Sequence, residues 1–519
     1  MRMGRALWLS AATMTSRVLG LARDQLFAAL VGANRWSDAF VVAFRIPNLL
    51  RDLFAEGALS SAFVPTFAEA QAKEGRDAAH RLANALVGLV LLVVGAVVLA
   101  GVAAAPVLVR VLAPGFGAEE AAFATFLTRI MMPFLLLVSL SAVAMGMLNA
   151  QSHFAAPALA PALFNVGAIA VGAWLWATGK GPRAATVGWS LGTLIGGAMQ
   201  LAAQLPSLWA LGYRVRPRLG ARAFSEPGIR RIGRLMGAAV IGLSATQINI
   251  LVNTVFASHE VGANTWLLMA FRLMQLPLGV FGVAIATVAG AGVAQRAAAR
   301  DLDGVRETLG SAMRLVAFLN VPAAVGLAVL AGPIIALVYE HGRFSAADTT
   351  ATAQALVFYA VGLYGYSAVK VFAPAFYALD EARIPVIGSV VGMVSNVALV
   401  LALYPVLGFR GVALGTSIAA TANFAVLAVA WKRRHGGLGQ AGIYRQLVRC
   451  ALASAAMAAA VAAAARLVAP WLPAAGLRRQ AAAAFVPMGV GIAVYFAAAR
   501  AVGVHELREV VEALRRRRR

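Results

Sequence analysis

The sequence predicts an all-α, polytopic membrane protein of fourteen transmembrane helices, and three observations lead to this prediction. Hydrophobic residues make up 61% of the 519 positions and charged residues only 13%, which is typical of membrane proteins. Apolar stretches of about 20 residues recur along the chain, each long enough to cross a hydrocarbon core of about 30 Å. Lysine and arginine are concentrated in alternate connections between these stretches. The predicted spans are roughly residues 6–31, 37–69, 82–112, 122–150, 157–178, 184–212, 232–257, 263–295, 306–338, 350–379, 384–405, 410–432, 445–469 and 480–503.

The formal net charge of +24 raises the question of nucleic-acid binding, and the positions of the basic residues answer it. Basic runs fill the connection between spans 6 and 7, residues 432–434 after span 12, and residues 515–519. By the positive-inside bias this pattern places both termini in the cytoplasm, in agreement with an even number of spans. We interpret the runs as topology signals with some affinity for anionic membrane lipids, and we expect no nucleic acid partner. The arginines between spans 6 and 7 are Arg214, Arg216, Arg218, Arg222, Arg230, Arg231 and Arg234.

The chain repeats itself at an offset of about 223 to 231 residues. Gly32-Ala33-Asn34 recurs as Gly262-Ala263-Asn264, and Ala43-Phe44-Arg45 recurs as Ala270-Phe271-Arg272. Spans 1 to 6 therefore correspond to spans 7 to 12, and the two halves have the same orientation because six spans separate equivalent points. We predict two parallel, pseudo-symmetric six-helix lobes, residues 1–215 and 216–435, followed by spans 13 and 14 and a basic tail in residues 436–519. Two such lobes with a site between them are typical of secondary transporters, and a duplicated bundle without a cavity is the alternative.

Several charged residues lie inside the first two spans, where each arginine near the centre would cost about 2.5–3.5 kcal/mol on insertion scales. Arg17 and Asp24 are seven residues apart and fall on nearly one face of span 1. Pro47 and Pro65 interrupt span 2, which is tolerated where the freed backbone groups line a cavity. We therefore predict a positively charged cavity bounded by spans 1, 2 and 8. Its charged residues are Arg17, Arg23, Asp24, Asp38, Arg45, Arg51, Asp52, Glu56 and Arg272.

The chemistry of these arginines favours an anionic, phosphate-bearing substrate, because a guanidinium stays charged at any depth and donates two parallel hydrogen bonds. Two alternatives apply to particular residues. Structural ion pairs explain Arg45, Asp52 and Glu56 about equally well. Arg23 and Arg51 could instead extend toward a membrane interface.

Motifs for nucleotide binding, zinc proteolysis, serine hydrolysis and calcium binding are absent from the sequence, and its six histidines never fall in metal-ligand spacing. The single cysteine, Cys450, excludes an internal disulfide, and we expect it to be a packing residue. The connecting loops are too short for a nucleotide-binding domain. We therefore predict a transporter that is not an enzyme and needs no cofactor, with coupling to the membrane potential or to a monovalent cation left open.

Six motifs stand out along the chain, at residues 16–24, 37–40, 44–51, 54–58, 339–344 and 372–377. They closely resemble those of the MurJ (MviN) family of lipid II flippases, which belongs to the MOP exporter superfamily, and the resemblance covers essentially the whole chain, with spans 13 and 14 alike in character only. The resemblance implies transport of lipid II, the undecaprenyl-diphosphate-linked disaccharide-pentapeptide used in peptidoglycan synthesis, from the inner to the outer leaflet of the cytoplasmic membrane. The competing hypotheses are export of another polyprenyl-linked saccharide and a membrane-embedded enzyme acting on a polyprenyl carrier.

The resemblance also implies roles for particular residues. It implies a groove for the lipid tail formed with spans 13 and 14, and it leaves the cell-wall synthesis machinery open as a further partner. Some relatives carry acidic residues where this chain has Phe271 and Gln275, so ion coupling through such acids does not carry over, and no sodium site is assigned. By motif position, the diphosphate is bound by Arg17, Arg23, Arg51 and Arg272, with Asp24, Asp38 and Glu56 as polar partners.

Overall fold

The computed structural model describes residues 3–52, 59–220, 224–438, 442–473, 476–504 and 506, and within these ranges it contains helices and no strand. The predicted all-α fold is therefore confirmed. The helices are α1 (Met3–Val31), α2 (Arg35–Arg51), α3 (Ser60–Glu74), α4 (Arg76–Leu112), α5 (Ala118–Met131), α6 (Pro133–Ala150), α7 (Ala155–Ala177), α8 (Pro182–Ala202), α9 (Leu205–Ala210), α10 (Pro227–Ala257), α11 (Ala263–Pro277), α12 (Val283–Ala298), α13 (Leu302–Val329), α14 (Ala331–Tyr339), α15 (Ala346–Val361), α16 (Leu363–Ala378), α17 (Arg383–Leu407), α18 (Phe409–His435), α19 (Ile443–Val468) and α20 (Leu477–Ala501).

Nine helical segments of the described chain are long and apolar enough to cross a membrane, and a tenth arises when α15 and α16, bent by 42° to each other, are counted as one span. The nine match predicted spans 3–5, 8, 9 and 11–14, and the bent pair matches span 10. The other predicted spans are also helical, in α1, in α2 with α3, in α8 and in α10. The chain is a multi-pass membrane protein, whereas the number fourteen stays a prediction.

The chain forms two compact units. The first comprises Met1–Thr265 and the short segment His341–Phe344, and the second comprises Trp266–Glu340 and Ser345–Arg519. α10 thus packs with the first unit, and α19 and α20 pack with the second. The lobe boundaries predicted from the repeat, after residues 215 and 435, stay a prediction.

Close helix packing holds the first unit together. Lipid tails are as apolar as leucine, so helices in a membrane associate through van der Waals contact, and small residues at the contact allow backbones to approach. Gly196 of α8 shows this against α7, because a methyl group added there would lie 2.6 Å from the carbonyl oxygen of Phe164. The core between α3, α4 and α6 is built around the buried rings of Phe63, Phe67 and Phe134.

In the described part of the second unit, apolar side chains form two clusters. In one, the fully buried ring of Trp431 on α18 packs edge-on against Phe372 and Phe376 of α16. In the other, α19 and α20 pack against α13, and the Tyr495 hydroxyl donates to the carbonyl oxygen of Phe318 at 2.6 Å. The two helices after the repeat are therefore an integral part of this unit.

The sequence repeat is visible as a repeated local conformation. Gly32 precedes α2 with a φ of 77°, and Gly262 precedes α11 with a φ of 91°. Such left-handed backbone is strained for residues with a Cβ atom, so both copies of the motif need glycine there.

Candidate functional site

Helix α1 carries the first of the predicted site residues. The side chain of Arg17 is exposed and forms no ion pair with the described residues. Further along the helix, Arg23 donates through Nε and Nη2 to Oδ1 of Asp24, at 3.2 and 2.8 Å. These two side chains are 13% and 15% exposed, and the Arg23 guanidinium lies 5.3 Å from the ring centre of Phe164 on α7. α7 therefore packs against the mostly buried ion pair.

Helix α2 ends on a similar pair. Arg51 donates through Nε and Nη2 to Oδ1 of Asp52, at 3.3 and 2.9 Å, and the two side chains are 25% and 29% exposed. The other carboxylate oxygen of Asp52 accepts from Nε2 of Gln247 on α10, at 3.4 Å. An oppositely charged neighbour reduces the cost of placing a charge in a low-dielectric environment. Pairing of adjacent residues is thus how the structure holds two of the predicted arginines within a membrane protein.

Asp38, at the start of α2, is 1% exposed and is fully hydrogen-bonded. Its Oδ2 accepts from the backbone N–H of Gly262 at 2.6 Å, and its Oδ1 accepts from the backbone N–H and the hydroxyl of Thr265, at 2.9 and 2.7 Å. The N–H groups at a helix start have no partner within the helix, and a carboxylate there also interacts favourably with the helix dipole. Asp38 therefore anchors the first turn of α11 in this structure, and its predicted role beside the substrate stays a prediction.

The remaining predicted residues are placed as follows. Glu56 lies outside the described residues. Arg272 is half-buried in α11, in the second unit. Next to it, the Phe271 ring packs edge-on against Tyr359 at 5.3 Å, and Gln275 is exposed. Among the predicted site residues, the structure thus brings Arg23 and Asp24 into contact. Arg51 instead binds Asp52, and Asp38 binds Gly262 and Thr265.

Lys370 is a residue that sequence reasoning missed. It is exposed on α16, inside predicted span 10, and no acidic side chain among the described residues pairs with it. A lysine within a span is costly unless it faces a polar space, so Lys370 is a further candidate for the site. The signal was present in the sequence as the one charge between Leu363 and Ala378.

Each unit carries candidate cations that suit anion binding: Arg17, Arg23 and Arg51 in the first unit, and Arg272 with Lys370 in the second. Arginine and lysine side chains can only donate hydrogen bonds, and an anion is the group that accepts them. In the part of the chain that the structure describes, no group of three or more His, Cys, Asp or Glu side chains is arranged to hold a metal ion.

Comparison with known proteins identifies the relatives of this chain. The model of the family described as "Lipid II flippase MurJ" matches residues 27–480. The "Probable lipid II flippase MurJ" of Rhizobium meliloti (strain 1021) is 35% identical over 514 residues, covering 97% of this chain and 95% of the relative. The "Lipid II flippase MurJ" of Burkholderia cenocepacia is 35% identical, covering 85% and 84%.

Solved structures agree with these sequence matches. The structure titled "Lipid II flippase MurJ, inward closed conformation" has a TM-score of 0.78 and 25% identity, covering 95% of this chain and 98% of its own. An inward-facing multidrug resistance MATE family transporter of the MOP superfamily has a TM-score of 0.68 at 17% identity, covering 83% and 98%. This second likeness concerns the fold alone.

Proposed function

Because the chain belongs to the MurJ family of lipid II flippases, we propose that it moves lipid II from the inner to the outer leaflet of the cytoplasmic membrane, with both termini in the cytoplasm. The protein is a transporter and not an enzyme, in keeping with its family. In the proposed mechanism, arginines bind the diphosphate of the substrate while the two lobes give access to each side of the membrane in turn.

One observation carries the proposal. Each unit holds a cation inside a predicted span, and this cation has no acidic partner among the described residues. Arg17 has this position in the first unit and Lys370 has it in the second. A cation at membrane depth is stabilised by an opposite charge or by water. A substrate that brings two phosphates into the protein supplies such an opposite charge.

Arginine suits this role better than lysine. Its planar guanidinium donates two parallel hydrogen bonds to a phosphate and stays ionised at any depth, whereas lysine acts as a point charge. Loss of one charge-assisted hydrogen bond costs about 1.5–3 kcal/mol. Each tenfold change in affinity corresponds to about 1.4 kcal/mol. Removal of one diphosphate-binding arginine should therefore weaken substrate binding roughly 10- to 100-fold.

The proposal is tested by complementation in a bacterium depleted of its own lipid II flippase. The intact chain should restore growth and make lipid II accessible to a labelling reagent at the outer leaflet. Arg17→Ala and Arg272→Ala should fail in both respects while reaching the membrane at normal levels, and Arg17→Lys should restore transport partly. The matched control is Arg433→Ala, which removes an exposed arginine at the end of α18 and should complement fully.

Three outcomes would contradict the proposal. The intact chain could fail to make lipid II accessible, or both alanine variants could complement like the control. Rescue of export of another polyprenyl-linked saccharide, with lipid II left inside and the cells lysing, would assign the protein to a different substrate.

Lys370→Met tests the second unit in the same assay, and we expect it to lower the transport rate.

A further inference from the structure

An open cavity of about 460 Å³ lies on the first unit, on the side that the predicted topology places outside the cytoplasm. Its lining is apolar apart from one arginine, and it is formed by Trp36, Gly181, Pro182, Arg183, Ala184 and Val187. These residues come from the start of α2 and from the turn between α7 and α8 with the first residues of α8. None of them belongs to the proposed substrate site.

Two exposed tryptophans indicate where this cavity sits relative to the bilayer. Trp174 and Trp176, at the end of α7, are 61% and 53% exposed, a few residues before Gly181. Tryptophan is enriched at the level of the lipid headgroups, where one part of the ring is apolar and the N–H reaches water. The cavity therefore lies at the depth of the headgroups and of the first acyl carbons.

The arginine at the cavity is held in place by aromatic rings. The Arg183 guanidinium lies 5.3 Å from the ring centre of Trp36 and 5.4 Å from that of Phe123, and these two rings pack edge-on at 5.0 Å. The neighbouring acid, Glu119, is bound by Arg35 at 3.1 Å. Among the described residues no carboxylate pairs with Arg183. Its guanidinium is thus stacked on aromatic rings and has no acidic partner in the protein.

We propose that this cavity binds an anionic phospholipid of the outer leaflet, with the phosphate on Arg183 and the upper part of an acyl chain against Trp36, Pro182 and Val187. A guanidinium stacked on aromatic rings keeps its edge available for bidentate bonds to phosphate. The apolar lining requires a ligand that also carries a hydrocarbon part, which free phosphate lacks. The site is separate from the proposed transport of lipid II and would remain if that proposal failed.

The experiment uses the whole chain in vesicles of phosphatidylcholine that contain a small fraction of a brominated lipid, which quenches nearby tryptophans. The brominated lipid is either phosphatidylglycerol or phosphatidylcholine. The quenching of Trp36 is obtained by subtracting the tryptophan fluorescence of the Trp36→Phe variant from that of the unmodified protein. We expect brominated phosphatidylglycerol to be about fivefold more effective, the factor that one basic residue provides at a membrane surface. Arg183→Gln should abolish this preference. The control Arg110→Gln, which removes an exposed arginine on the same predicted side, should keep it.

Equal quenching by the two lipids in the unmodified chain would overturn the proposal, and this comparison holds even if Arg183→Gln fails to fold. If Arg183→Gln still prefers phosphatidylglycerol over phosphatidylcholine, the proposal is also overturned, because a positive charge other than Arg183 would then attract the anionic lipid. Added inorganic phosphate at millimolar concentration should leave the quenching unchanged. If it displaces the lipid, the site binds a small anion and not a phospholipid.

Discussion

The hydrogen bonds of Asp38 lead to a prediction about stability that can be worked out from single atoms. Asp38→Ala removes the acceptors of three donors: the backbone N–H groups of Gly262 and Thr265, and the Thr265 hydroxyl. The hydroxyl keeps a second contact, with Oγ of Ser37 at 2.9 Å. The two N–H groups have no such alternative in the described structure, and they become buried donors without an acceptor.

The expected cost follows from these two donors. A buried donor left unsatisfied costs about 1–3 kcal/mol, so Asp38→Ala should destabilise the protein by roughly 2–6 kcal/mol. Asp38→Asn keeps one carboxamide oxygen and should cost about half as much. Thr265→Val removes only the hydroxyl and leaves both backbone bonds, so its cost should be about 1–2 kcal/mol.

The assay is equilibrium unfolding in detergent micelles, followed by tryptophan fluorescence. The control is Asp303→Ala, which removes a 91% exposed carboxylate that binds Arg306 in the first turn of α13. Exposed pairs of this kind contribute about 0.2–1 kcal/mol. If Asp38→Ala destabilises no more than Asp303→Ala, the anchoring role of Asp38 is wrong. Should Asp38→Ala not fold at all, the other variants still test the anchoring role. Asp38→Asn and Thr265→Val should both destabilise the protein more than Asp303→Ala does, and the reverse order would contradict this role.

Two further predictions concern contacts outside the proposed substrate site. The Arg343 guanidinium donates to the carbonyl oxygens of Leu30 and Lys180, at 2.8 and 3.0 Å. Arg343→Gln should therefore destabilise the protein by about 2 kcal/mol in the same unfolding assay. An unchanged free energy of unfolding would refute this prediction. Burial raises the pKa of Glu381, but hydrogen bonds from His435 and Arg434 outweigh it, so the pKa lies below its ordinary value of 4.5. The stability that Glu381 contributes is therefore present above pH 4.5 and is lost as the pH falls through the lowered pKa. Glu381→Gln should be less stable than the parent at pH 7 and should lose less stability on acidification, whereas parallel pH profiles of the two proteins would contradict the prediction.

The length of the apolar stretches made the helices predictable, and α4, α7, α17 and α20 lie close to their predicted spans. The ion pairs were less predictable. Helical periodicity places residues seven apart on one face, and by this reasoning Asp24 belongs with Arg17. In the structure Asp24 binds Arg23, because the long arginine side chain can fold along the helix to its neighbour, although adjacent residues point about 100° apart. Periodicity describes the direction of Cβ atoms and not the reach of a flexible side chain.

Contacts between distant segments could not be derived from the sequence at all. Asp38 and Thr265 are both ordinary polar residues in the sequence. Only the fold brings the Asp38 carboxylate to the start of α11, where it binds Thr265, 227 positions further along the chain. The same holds for Arg183, whose aromatic partners Trp36 and Phe123 come from two other helices. Charge in a membrane span identifies a residue that needs a partner, but the identity of the partner depends on packing. Lys370 and Arg17 are two cations of this kind: the described protein provides no acid for either, and an anionic substrate is the partner that the proposed function supplies.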